Sequence, residues 1–61
     1  ESTELRALVA EIRATVSDTS VLTALGIKNP NTQQTFQAEL QVIGALADAV
    51  IQLLEQGGIL R

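Results

Sequence analysis

The sequence contains no cysteine, histidine, methionine, tryptophan or tyrosine, and its one aromatic residue is Phe36. Without cysteine there is no disulfide framework, and the chain fits an oxidising or a reducing compartment equally. Without histidine and cysteine there is neither a zinc site of the usual ligands nor His- or Cys-based catalysis. Cations are also scarce. Arg6, Arg13, Lys28 and Arg61 stand far apart against seven acids, for a net charge of −3. A phosphate-binding surface needs clustered cations that displace counterions, so nucleic acid is not an expected partner. A polybasic membrane footprint is missing for the same reason. No basic segment followed by an apolar run opens the chain, so no signal peptide is read from it. Its first residue, Glu1, reads as following the removal of an earlier segment.

What is present is apolar. Hydrophobic residues make up 46% of the 61 positions, too many for a disordered chain. A chain of this length buries only about 60% of its unfolded surface when it folds alone. Small domains normally add disulfides, a metal or a second chain. The composition removes the first and weakens the second, which leaves self-association.

Two helical patterns are legible. Leu5, Leu8, Val9, Ile12 and Val16 recur at helical spacing and form one stripe, with Arg6, Ala10, Arg13, Ala14 and Ser17 on the other side. This predicts an amphipathic helix over about 3–17, capped by Ser2 or Thr3, with Glu4 favourably placed in its first turn. Ser17-Asp18-Thr19-Ser20 then breaks the pattern with side chains that compete for backbone hydrogen bonds. A short helical turn over about 20–25 follows, capped by Asp18 or Ser20 and stopped by a left-handed Gly26. The connector runs over about 26–31, with Asn29 placed to cap a helix that has Pro30 in its first turn. The last helix is expected over about 31–56, and Gly57-Gly58 ends it with Ile59 and Leu60 folding back. The whole, 1–61, reads as one small helical domain.

That last helix carries most of the information. Phe36, Leu40, Ile43, Ala47, Val50 and Leu54 step by 4, 3, 4, 3 and 4, a heptad seam. Val42, Leu46, Ala49 and Leu53 flank it on one side and Ile51 on the other. The apolar arc covers roughly 200° of the wheel, about twice what one packing surface needs. The polar arc is narrow: Gln37, Gln41, Asp48, Gln52 and Glu55. The first helix can cover one apolar surface, and a second copy of the chain is the economical cover for the other. Gly44, among Ala45, Ala47 and Ala49, thins the helix at a propensity cost of about 1 kcal/mol relative to alanine, and reads either as room for a close helix approach or as a tolerated surface glycine.

The expectation is therefore an all-α fold. An amphipathic helix, a short helical turn and a long antiparallel helix form a helical hairpin that completes a four-helix bundle or larger helical assembly by oligomerisation. The expected intrachain core is Leu5, Leu8, Ile12, Phe36, Leu40, Ile43, Ala47 and Leu54. The expected oligomer interface is Val42, Leu46, Ala49, Val50 and Leu53.

Chemistry is harder to find. Asp48 and Glu55 share a face but stand about 10 Å apart along the axis, too far to share a proton or a metal within one chain. They read as a solvated face. Asp18 with its hydroxyl neighbours reads as a capped turn. No phosphate loop, calcium loop or dinucleotide glycine pattern occurs. The sequence thus points to no enzyme, no cofactor and no metal. It points to a structural or assembly module acting as a homo-oligomer, a dimer or higher, within a larger protein assembly. Two alternatives compete. One is an adaptor that offers a hydrophobic groove to a partner helix. The other is a membrane-active amphipathic peptide. Membrane insertion is disfavoured, because Val42–Leu54 is too short to span a core of about 30 Å and carries Asp48 at its middle.

Overall fold

The computed structural model describes all 61 residues and is entirely helical. Helix α1 spans Ser2–Val16, α2 spans Thr19–Ala24 and α3 spans Pro30–Gln56.

Local chemistry accounts for each boundary. The Asp18 carboxylate accepts from the Ser20 amide at 2.9 Å and the Ser20 hydroxyl at 2.7 Å, which starts α2. The same two bonds hold the Asp18 carboxyl below its usual range, the hydroxyl more than the amide. Gly26 ends α2 at φ +93°, in the left-handed region that favours glycine. It places the Ile27 amide on the Leu22 carbonyl at 2.9 Å, closing the cap. Asn29 starts α3 by accepting from the amides of Asn31 and Thr32, with Pro30 in the first turn. At the other end Gly58, not Gly57, takes the left-handed conformation, and the Ile59 and Leu60 amides both turn back onto the Leu54 carbonyl.

The start of α1 differs from expectation. Glu1 is the N-cap and its side chain accepts no capping hydrogen bond, while Ser2 is already helical. The Ser2 hydroxyl and amide both donate to the Arg61 main-chain oxygen, at 2.7 and 2.8 Å. An orphan donor of the first turn is thus satisfied by the far end of the chain.

Helices α1 and α3 run antiparallel. Arg6 pairs with Glu55 and Arg13 with Asp48, so a step of seven along α1 is a step of seven back along α3. Gly44 lies beneath the Arg13 side chain. A Cβ built there would stand 2.6 Å from Arg13 Cδ and 2.8 Å from Arg13 Cγ. The stem of Arg13 therefore lies across the gap that this glycine leaves.

Little of the apolar material ends up inside. Leu22, fully buried, and Ile51, 6% exposed, are the buried hydrophobic side chains. The accessible surface is 4411 Å², against about 3,800 Å² for a compact chain of this mass. The radius of gyration is 13.9 Å, against about 10.5 Å for a compact chain of this length. Both values describe a thin rod, 43 × 16 × 12 Å at Cα.

Candidate functional site

The helix pairing is polar along most of its length. Arg6 Nη2 reaches Glu55 Oε1 at 2.6 Å. Arg13 donates from Nε to Gln41 Oε1 at 2.8 Å and from Nη1 to Asp48 Oδ2 at 3.2 Å. Gln37 Nε2 donates to the carbonyls of Val16 and Ser17, at 3.0 and 3.2 Å, and so satisfies the C-terminus of α1. Buried Gln33 does the same for α2 and the connector, donating to Thr23 Oγ1 at 2.9 Å and to the Ile27 carbonyl at 2.8 Å. The column Gln37–Gln41–Asp48–Glu55, expected to be solvated, is instead the seat of α1.

These half-exposed ion pairs add little stability, because water screens them. What they do is fix rotation and register. Two neighbours hold the Glu55 carboxyl below its usual range, the Ser2 hydroxyl first and the Arg6 guanidinium second. The hydroxyl has a single proton, and it points to the Arg61 oxygen. Arg6 therefore carries the lasting part of the effect.

The sign of the pH dependence follows. A carboxyl depressed in the folded chain adds stability that is complete above its unfolded value, about 4.3, and is lost as pH falls through the folded value. Melting temperature should therefore decline on the acid side of about pH 4. Asp18 contributes in the same direction. Thermal melts across the acid range check this, with Glu55→Gln expected to flatten part of the decline. A curve identical for both proteins would show that the Arg6 contact does not hold in solution.

Seating α1 on the polar column corrects the expected intrachain core at four positions. Leu5, Leu8, Ile12 and Ile43 are exposed, Ile12 at 56% and Ile43 at 57%. The physical reason is rotation. Arg6 and Arg13 claim the inward face of α1 together with Val9 and Val16, which turns the leucine–isoleucine stripe sideways. Phe36, Leu40, Ala47 and Leu54 are half-buried. The buried residues of α3 are Gln33, which faces α2 and the connector, and Gly44 and Ile51, each one residue on from the expected seam positions Ile43 and Val50.

The outcome is an uncovered apolar surface in two parts. Val42, Leu46, Ala49 and Leu53 lie within about 40° of the point on α3 opposite α1, forming an outer edge. All four are exposed, Leu46 at 62% and Leu53 at 65%. Val50, also exposed, stands between this edge and the second part. That second part is a broad side of the hairpin, formed by Leu5, Leu8 and Ile12 of α1 with Phe36 and Ile43 of α3. There Ile12 and Ile43 flank a cleft of about 90 Å³, lined also by Val9, Arg13, Leu40, Gly44 and Ala47.

No three acidic side chains converge. By length and composition α3 also qualifies to cross a membrane, with a mean hydropathy of 1.2 over an 18-residue window. The helix as a whole runs for 27 residues, about 40 Å, and extends beyond the apolar stretch Val42–Leu54 at both ends. Compared with protein-family models, curated proteins and solved structures, the chain matches none.

Proposed function

We propose that the chain is a non-enzymatic structural module that assembles with copies of itself through the outer edge of α3. One observation carries this reading: ten large hydrophobic side chains are exposed while two hydrophobic residues are buried. Burying apolar surface yields roughly 25 cal/mol per Å², and it is the main favourable term available to a chain without disulfides. Association supplies the burial that the hairpin alone lacks. The contact residues are Val42, Leu46, Ala49, Val50 and Leu53, with α3 of one copy against α3 of the next.

A second reading places α3 in a bilayer, and its length and hydropathy favour that. Asp48 weighs against it. In the hairpin this carboxylate is held by Arg13, and crossing a membrane would carry the pair, along with Gln37, Gln41 and Glu55, into hydrocarbon. The adaptor reading needs the same exposed surface but a different occupant.

Sedimentation over a micromolar dilution series tests the proposal. A discrete multimer is expected, with helicity and mass falling together on dilution. A single copy at every concentration, with an unchanged melting temperature, would remove the reading. Helicity gained only with liposomes, or only with a partner helix, would replace it with one of the other two.

A further inference from the structure

We infer that two copies meet along the α3 edge in antiparallel orientation, about a two-fold axis level with the peptide between Ala47 and Asp48, so that Leu46 of each copy stands opposite Ala49 of the other. This rests on the self-association reading above and adds how the second copy is seated.

Side-chain size selects the direction. Val42, Leu46, Ala49 and Leu53 step by 4, 3 and 4 along the edge, so they form successive layers of a helix–helix contact. In a parallel pair about a two-fold axis each residue meets its own copy. Leucine then crowds leucine at position 46, while at position 49 two methyl groups leave a gap. Reversing one helix about the midpoint of the four changes both. Leu46 meets Ala49 and Val42 meets Leu53, a larger side chain against a smaller one in every layer, which is the arrangement that interdigitates. The two Leu46 side chains remain neighbours, about 4.5 Å apart along the axis. Ala38, Glu39, Val42 and Ile43 line an open groove on α3, and in this register it lies level with Leu53 of the second copy.

Charge selects the same direction. Helix α3 carries acids and no base. Asp48 and Glu55 are turned towards α1 and paired there with Arg13 and Arg6. Glu39 is the one left on the edge, exposed and just N-terminal to Val42. A parallel pair sets the two Glu39 carboxylates side by side at the end of an apolar contact, where like charges repel with little screening. The antiparallel pair holds them about 25 Å apart along the axis, well beyond the screening length of about 8 Å at physiological salt. Level with each Glu39 stands Gln56 of the other copy, whose side-chain amide is a donor for the carboxylate. The apolar layers are thus closed at both ends by a polar pair of complementary kind.

The test is cross-linking. The chain has no cysteine, so one substitution supplies one thiol. Val42 and Leu53 are 60% and 65% exposed, so Val42→Cys and Leu53→Cys remove little packing within the hairpin. Each variant alone, and an equal mixture of the two, is oxidised under mild conditions and resolved by mass, with sedimentation run alongside. A disulfide needs Cα atoms within about 7 Å. In the antiparallel register position 42 meets position 53, whereas two copies of position 42 lie about 16 Å apart along the axis. The expected product is a cross-linked pair holding one of each variant, with neither variant cross-linked alone. Cross-linking of each variant with itself and not with the other would establish the parallel pair and overturn this inference, while the self-association reading stands. Equal yields in all three samples would show no fixed orientation and overturn it too. A multimer that cross-links in no sample would place the contact elsewhere and remove the edge as well, and single copies at every concentration would end both. Gln56→Lys gives an independent reading. In the antiparallel pair each new lysine meets Glu39 of the other copy, and the dissociation constant should fall by about 2- to 30-fold. In a parallel pair lysine meets lysine, and a rise in the constant would contradict the inference.

Discussion

Replacing Leu22 with alanine is expected to lower the melting temperature by at least about 10 °C, the largest effect of any single truncation in this chain. Leu22 is the one fully buried side chain, and it sits in the six-residue helix α2. Truncating a buried leucine costs about 2–5 kcal/mol, from lost transfer free energy and the cavity left behind. A single core in a chain this small rarely supplies more than about 3–5 kcal/mol. The loss is therefore comparable to everything the isolated hairpin has. A six-residue helix is too short to persist without its packing, so α2 should detach first. The amides of Gly26 and Ile27, bonded to the carbonyls of Thr23 and Leu22, report that directly by hydrogen exchange. Leu25, three residues on and 67% exposed, is the comparison. In a sample dilute enough to hold single copies, Leu25→Ala should change stability by no more than about 0.5 kcal/mol. Equal melts and equal amide protection for Leu22→Ala and the unaltered chain would mean that α2 does not anchor the hairpin.

That Leu22 should matter most was not legible in the sequence, and the reason is physical. Periodicity identifies faces over several turns, and α2 has too few residues to show one. Helix existence and order were legible because capping is local: Asp18, Asn29, Pro30 and Gly26 each act on their own backbone. How α1 is rotated against α3 is a different matter, because it depends on pairs far apart in sequence. Within each helix no acid stands four residues before a base, which reads as an absence of ion pairs. The pairs lie between the helices. Arg6 and Arg13 are seven apart, and so are Asp48 and Glu55, which is the spacing that lets two antiparallel helices match charge for charge. Apolar periodicity alone put Leu5, Leu8 and Ile12 inward. Two arginines and a column of glutamines turned them aside: the two guanidiniums find three acceptors on α3 between them, and that pairing sets the rotation that leaves the stripe facing sideways. The width of the apolar arc on α3 was readable, and it is still uncovered once the hairpin has formed.

Replacing Leu46 with glutamate is expected to weaken association through the α3 edge at least about 100-fold while leaving each hairpin folded. Leu46 is 62% exposed, so the substitution removes little packing within one chain. Leucine and glutamate also have similar helix propensities. In an α3–α3 contact the same position lies between Val42, Ala49 and Val50, next to Leu53, with no cation in reach on that flank. A carboxylate buried there without a partner costs about 3–5 kcal/mol, and each 1.4 kcal/mol is a factor of ten in the dissociation constant. Where the contact is two-fold, the two carboxylates also face each other, and like charges add to the cost. Circular dichroism in a sample dilute enough to hold single copies should therefore match the unaltered chain, while sedimentation at higher concentration separates the two. Leu46→Gln, neutral and similar in size, distinguishes charge from shape: a loss of association much smaller than for glutamate identifies a dry contact at this position. If glutamate leaves both mass and stability unchanged, α3 meets its copies on some other side, and the outer edge remains in water.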